Sequence, residues 1–233
     1  MDKIDVLDHG FVRLVDRMGN DLSIVRAARI SHNAEWRAGE NEGSDVRLIE
    51  YLWKNNHSSP FESVEFQFEI YAPIFVARQW MRHRTWSYNE VSGRYTVLPE
   101  QFYIPRIEDV GTQHKSNKQA RSFNPLDETT KRHRTRELRS LQARCEEAFK
   151  TYHDLLDSGW PRELARIVLP LNTYTHFFAK VDLLNLLKFI VLREHEHAQY
   201  EIQVYAEAMK DLISYHVPVT MQVFNKELKN DVA

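Results

Sequence analysis

Val64-Glu65-Phe66-Gln67-Phe68-Glu69-Ile70-Tyr71 alternates apolar and polar residues. A strand points successive side chains to opposite faces, so this pattern predicts a half-buried strand with one face on a core. Pro73 follows it, and a residue with fixed φ and no N–H suits the opening of a helix. The apolar run Pro73-Ile74-Phe75-Val76-Ala77 then feeds Arg78-Gln79-Trp80-Met81 into Arg82-His83-Arg84-Thr85-Trp86-Ser87-Tyr88-Asn89-Glu90-Val91-Ser92-Gly93-Arg94-Tyr95. Arg82 therefore falls near a helix C-terminus, at the head of a dense basic cluster that adjoins apolar sequence. Guanidinium groups hold phosphate or carboxylate through paired hydrogen bonds, and Ser92-Gly93 is small enough for backbone N–H groups to approach a ligand. A solvated charged face is the competing reading, and the apolar run that would partly bury the cluster argues against it.

Around this unit the pattern predicts strands at Ile4–Leu7 and Gly10–Arg17 joined by a turn. A helix carrying Leu22, Val25, Ala28 and Ile30 follows, then a second one capped by Ser44 or Asp45 with Val46, Leu48, Ile49 and Leu52 on its apolar side. The polar, turn-rich segment 108–127 reads as a long mobile loop or insertion. A long helix is expected from Glu128 to about Leu156, a short one at Pro161–Leu169, and a strand over Asn172–Phe178. Two more helices are expected at Val181–Leu192 and from Glu194 to about His216.

At 233 residues one domain spanning 1–233 is the default. The formal net charge of −2, with both signs mixed along the chain, argues against nucleic acid or an anionic membrane as partner. The basic run Lys131–Arg136 lacks interleaved aromatics and adjoins Glu137, so it reads as a solvated helix face. No apolar run is long enough to span a bilayer, and the polar start lacks the features of a secretory signal, so a cytoplasmic protein is expected. Cys145 is the only cysteine and lies in a charged helical stretch, where an ordinary helix residue is a better reading than a nucleophile. His195 and His197 are two apart and form neither HExxH nor an i, i+4 pair, so no metal site is expected.

Arg82-His83-Arg84, seven residues and then Ser92 resembles the RHR-x7-S motif of the flavin-dependent thymidylate synthases, the ThyX family. The intervening Ser87-Tyr88-Asn89-Glu90 and the following Gly93-Arg94-Tyr95 fit the same pattern, and the likeness continues in blocks to about Gln203. His57-Ser58-Ser59-Pro60-Phe61-Glu62 resembles that family's HxTPFE segment, with Ser59 where threonine is common. The resemblance implies an α/β (α+β) fold with a central, mostly antiparallel sheet flanked by long helices. It also implies a homotetramer with shared active sites. The activity it implies is FAD-dependent methylation of dUMP to dTMP, with 5,10-methylenetetrahydrofolate and NADPH as co-substrates. An inactive nucleotide-binding or sensing homologue is the alternative, and the absence of a GxGxxG loop argues against an unrelated flavoprotein.

Carried onto matching positions, the resemblance assigns Gln79, Arg82, Glu90, Val91, Ser92, Gly93, Arg94, Arg166 and Arg193 to dUMP. It assigns His57, Ser59, Arg82, His83, Arg84, Thr85 and Glu90 to FAD, and more weakly Asp182 and Lys188. Leu184, in the same segment, departs from the family pattern because its side chain cannot hydrogen bond. Arg193 is the expected catalytic residue, since a fixed guanidinium beside N3 of the uracil would stabilise negative charge as it develops. Without the resemblance, an ion pair of Arg193 with Glu194 or Glu196 remains open. For His57, a role as a helix C-terminal histidine bonded to a carbonyl stays equally open.

Overall fold

The computed structural model describes residues 2–117, 121–195 and 197–231. Strands β1 (Lys3–Val6), β2 (Gly10–Met18), β3 (Glu65–Pro73), β4 (Ser87–Glu90) and β7 (Tyr174–Asp182) form one sheet in the order β1-β2-β3-β7-β4. Every neighbouring pair is antiparallel. The centre is the nine-residue pairing of β3 with β7, from Glu65 opposite Asp182 to Pro73 opposite Tyr174. The alternation in β3 is realised: Phe66, Phe68, Ile70 and Ala72 are fully buried on one face, while Glu69 on the other binds Arg13 and His176.

The inner face is covered by α7 (Leu183–Glu194) and α8 (Tyr200–Ser214). Ile202, Tyr205, Ala206, Met209, Leu212 and Ile213 form the buried side of α8, at the spacing the sequence predicts. Helices α1 (Asp21–Arg29), α2 (Glu42–Lys54) and α9 (Pro218–Asp231) pack together beside them. Between the sheet strands run α3 (Ile74–Trp80) and, beyond β4, the short α4 (Ile107–Val110) and the two-residue strands β5 (Thr112–Gln113) and β6 (Arg121–Ser122). The 30-residue α5 (Glu128–Asp157) and α6 (Arg162–Ala165) complete the chain order before β7.

Several expectations need correction. The cap of α2 is Asn41, whose side chain accepts from Ser44 N, whereas Asp45 is buried and pairs with Arg29. Strand β7 runs on to Asp182, and Asp182 itself caps α7. The helix expected from Glu194 starts at Tyr200, because α7 runs on to Glu194 and Ala198 N then donates to His195 O ahead of α8. The segment 108–127 is not loop throughout: α4 ends in it and β5 pairs with β6. In α5, Cys145, Phe149 and Tyr152 are buried but Leu141 is 41% exposed, so its N-terminal half stands away from this chain's own core.

Candidate active site

Two tryptophans anchor the basic cluster. Trp80 at the end of α3 is fully buried and stacks on Phe189 of α7, and Trp86 is 6% exposed against the same ring. The turn between them, which carries Arg82, His83, Arg84 and Thr85, is thereby pinned at both ends. A helix end leaves carbonyls without partners; here the single proton of the Tyr88 hydroxyl is shared between Trp80 O at 3.0 Å and His83 O at 3.1 Å. Arg82, Arg84 and Thr85 point outward and are exposed, whereas His83 is half-buried with its ring edge-on to Phe189.

Arg193, in the last turn of α7, reaches this turn. Its Nε donates to His83 Nε2 at 3.2 Å and one terminal nitrogen donates to Gln79 O at 3.2 Å. An imidazole nitrogen can accept only when it carries no proton, so His83 is neutral here. The electrostatics agree: burial and the adjacent Arg193 charge hold the His83 pKa down to about 4. Burial also lowers the pKa of Arg193, which remains a cation. The ion pair with Glu194 does not form, since Glu194 binds Lys210 at 2.7 Å, and Glu196 lies outside the described residues. The side chain of Gln79 donates to Gln199 Oε1 at 2.6 Å.

A second group forms where β4 ends. Val91 N donates to His176 O, closing the pairing with β7, and Thr175 Oγ1 donates to Glu90 Oε1 at 2.6 Å. Beyond it Tyr95 N and Thr96 N both donate to Ser92 O, and Arg94 N donates to Ser92 Oγ at 3.3 Å. Gly93 is buried, and a Cβ there would lie 3.1 Å from Arg166 Cδ. Arg166, in a 3-10 turn after α6, is thus brought against Ser92-Gly93, while Arg94 pairs with Glu163 at 3.2 Å. Among the described residues no hydrogen bond or ion pair joins Arg193 to Ser92, Arg94 or Arg166. Among the described residues the Ser92 hydroxyl is bonded by Arg94 N and by no base that would make it a nucleophile.

A cleft of about 620 Å³ lies between the end of α2 and the outer side of α7, within the size range of ligand sites. Lys54 and Lys188 bring two ammonium groups to it, and Phe61, Leu184 and Leu187 supply apolar wall. An extended ligand with an anionic centre and a flat ring system suits such a lining. Leu184 thus contributes surface in place of a hydrogen bond. Asp182 is engaged in the α7 cap, bonding Asn185 N at 2.9 Å and Asn185 Nδ2 at 2.6 Å. His57 and Ser59 are exposed next to the cleft residues Asn56 and Ser58. The His57 ring lies edge-on to Tyr51, and its backbone N–H donates to Leu52 O as α2 ends through left-handed Asn56.

Cys145 is buried and bonded to Asn172, on the far side of α5 from solvent and touching none of these groups. Of the basic run in α5, Lys131 pairs with Glu128, and His133 and Arg134 pair with Glu137, as in a solvated helix face. No three His, Cys, Asp or Glu side chains among the described residues are placed to hold a metal, and no described helix is long and apolar enough to cross a membrane.

The profile of the family described as thymidylate synthase complementing protein matches residues 13–219. A flavin-dependent thymidylate synthase of Thermus thermophilus is 48% identical over 225 residues, 97% of this chain and 79% of the relative. One of Thermotoga neapolitana is 46% identical over 224 residues, covering 96% and 94% of the two chains. Among solved structures, the UMP/dUMP methylase PolB of Streptomyces cacaoi, bound with 5-Br dUMP, matches with TM-score 0.82 and 36% identity over 96% of this chain and 97% of that one.

Proposed function

The chain belongs to the flavin-dependent thymidylate synthase family, and from this we propose that it converts dUMP to dTMP with FAD, 5,10-methylenetetrahydrofolate and NADPH, releasing tetrahydrofolate. Bound FAD supplies the hydride that completes the new methyl group. The carrying observation is the Arg193 guanidinium, half-buried and fixed on the neutral His83 ring and Gln79 O. Fixed there, it stabilises negative charge developing on the uracil at N3 and its carbonyl, and so raises electron density at C5 without reorganising at the moment of reaction. His83 holds it by accepting from Nε, which leaves terminal nitrogens for the substrate.

Ser92, Gly93, Arg94 and Arg166 hold the nucleotide phosphate, with Val91 lining the approach and Gln79, Arg82 and Glu90 completing the dUMP contacts. Lys54 and Lys188 face the anionic centre of FAD in the cleft, Leu184 and Phe61 pack its flat portion, and His57, Ser59, Arg84 and Thr85 line its exposed side. Asp182 acts on FAD through the α7 end it caps. Buried Cys145 takes no part, so no covalent enzyme–pyrimidine bond through sulfur is needed.

A homotetramer in which neighbouring subunits complete each site is part of this reading. Trp160, Leu164, Ile167 and Leu171 are 46 to 70% exposed around α6, an apolar surface that a partner copy would cover. The protein acts as a single catalytic domain in the cytoplasm. The test is the visible spectrum: purified protein should take up FAD, and dUMP should perturb the flavin bands. Protein that binds no flavin refutes the assignment.

A further inference from the structure

Glu201, in the first turn of α8, is 2% exposed and outside every group assigned above. A buried carboxylate is costly unless paired and hydrogen-bonded, and this one is. Both terminal nitrogens of Arg121 on β6 bond it at 3.1 to 3.2 Å, and the Tyr103 hydroxyl donates to Oε1 at 3.3 Å. Its remaining contact is Gln199 Nε2, which donates to Oε2 at 2.8 Å. A carboxylate paired with a guanidinium accepts only, so the Gln199 amide must turn its NH2 toward Glu201. Its carbonyl oxygen is then the end left for Gln79, and Gln79 must answer with its own NH2, as it does at 2.6 Å. The charge on Glu201 thus sets the polarity of the whole line and leaves the Gln79 carbonyl oxygen as an acceptor for the ligand.

We propose that Glu201 is a positioning residue for the nucleotide site, acting through Gln199 to fix which end of the Gln79 amide meets a hydrogen-bond donor of the bound nucleotide. This rests on the reading that Gln79 touches dUMP. Arg121 lies on the β5–β6 pair, so the segment that sequence assigns to a loop also clamps this line from behind.

The test is the dUMP dissociation constant of FAD-loaded protein by calorimetry, together with kcat at saturating dUMP. Replacing the carboxylate in Glu201→Gln lets the line reverse, and Gln199→Leu cuts it. Each should weaken dUMP about tenfold, the scale of one hydrogen bond to a fixed partner. The double variant should be no worse than the poorer single one, while FAD affinity and kcat stay within about twofold, a split that general loosening of the site would not give. If Gln79→Ala weakens dUMP while Glu201→Gln and Gln199→Leu bind it as wild type does, the inference is overturned and the synthase assignment stands. If Gln79→Ala itself binds normally, the inference falls with that contact. Wild-type protein that binds FAD but not dUMP refutes both the assignment and the inference. Should Glu201→Gln fail to fold, half-buried Gln199→Leu decides alone.

Discussion

The contact between His83 and Arg193 makes a prediction about pH that isolates one side chain. In the folded protein the His83 pKa is held at about 4, against 6.5 for a free imidazole. The unfolded chain therefore binds more protons than the folded one between these values, and stability rises with pH through that window. The contribution is complete above pH 6.5 and is lost as pH falls through 4. A difference of 6.5 − 4 = 2.5 units corresponds to about 3 kcal/mol at most. The ring is only half-buried, so solvent screening brings the expected value to about 1 to 2 kcal/mol. His83→Gln retains an acceptor for Arg193 Nε and cannot titrate, so the other groups cancel in a comparison. Urea unfolding of ligand-free wild type and His83→Gln from pH 4 to 7 should give a stability difference that climbs with pH in favour of wild type. A flat difference, or one that falls with pH, would show that His83 is not held neutral by burial beside Arg193.

Three further outcomes follow from the site. Arg193→Ala should lower kcat by about 100-fold or more, the cost of removing a preorganised charge from a reacting centre, while binding FAD normally; turnover within threefold of wild type would remove Arg193 from catalysis, the bound being about 0.7 kcal/mol. Lys188→Glu should release FAD more readily, read as flavin lost on gel filtration, because it turns one of two ammonium groups in the cleft into a like charge for the cofactor. Cys145→Ala should keep most of the dTMP-forming activity and cost about 1 to 2 kcal/mol in urea unfolding, since it leaves a small void next to Asn172; an inactive but folded variant would reinstate a sulfur nucleophile.

The parts legible in the sequence are those whose signal is local. The alternation of β3 and the apolar stripe of α8 needed only periodicity, and Arg82-His83-Arg84 was visible as a charge cluster fed by an apolar run. Most of what was missed depends on partners distant in sequence. Strand β4 is four mostly exposed polar residues and exists because Ser87 to Glu90 pair with Lys180 to Phe177 on β7. The break before α8 carries neither glycine nor proline and is a local exception, with Ala198 N and Gln203 Nε2 both donating to His195 O. Helix α9 opens on Pro218, but what fixes its first turn is Asp21 on α1, which accepts from Val219 N and Thr220 N. The line from Glu201 to Gln79 joins residues 122 positions apart through one intervening amide, and no spacing rule finds that.

Folate chemistry gives the most direct measurement of the central claim. FAD-loaded protein incubated with dUMP, methylenetetrahydrofolate and NADPH should form dTMP and tetrahydrofolate in equal amounts, because the flavin and not the folate gives the final hydride. Formation of dihydrofolate with dTMP, or no dTMP from protein that has bound both FAD and dUMP, would contradict it.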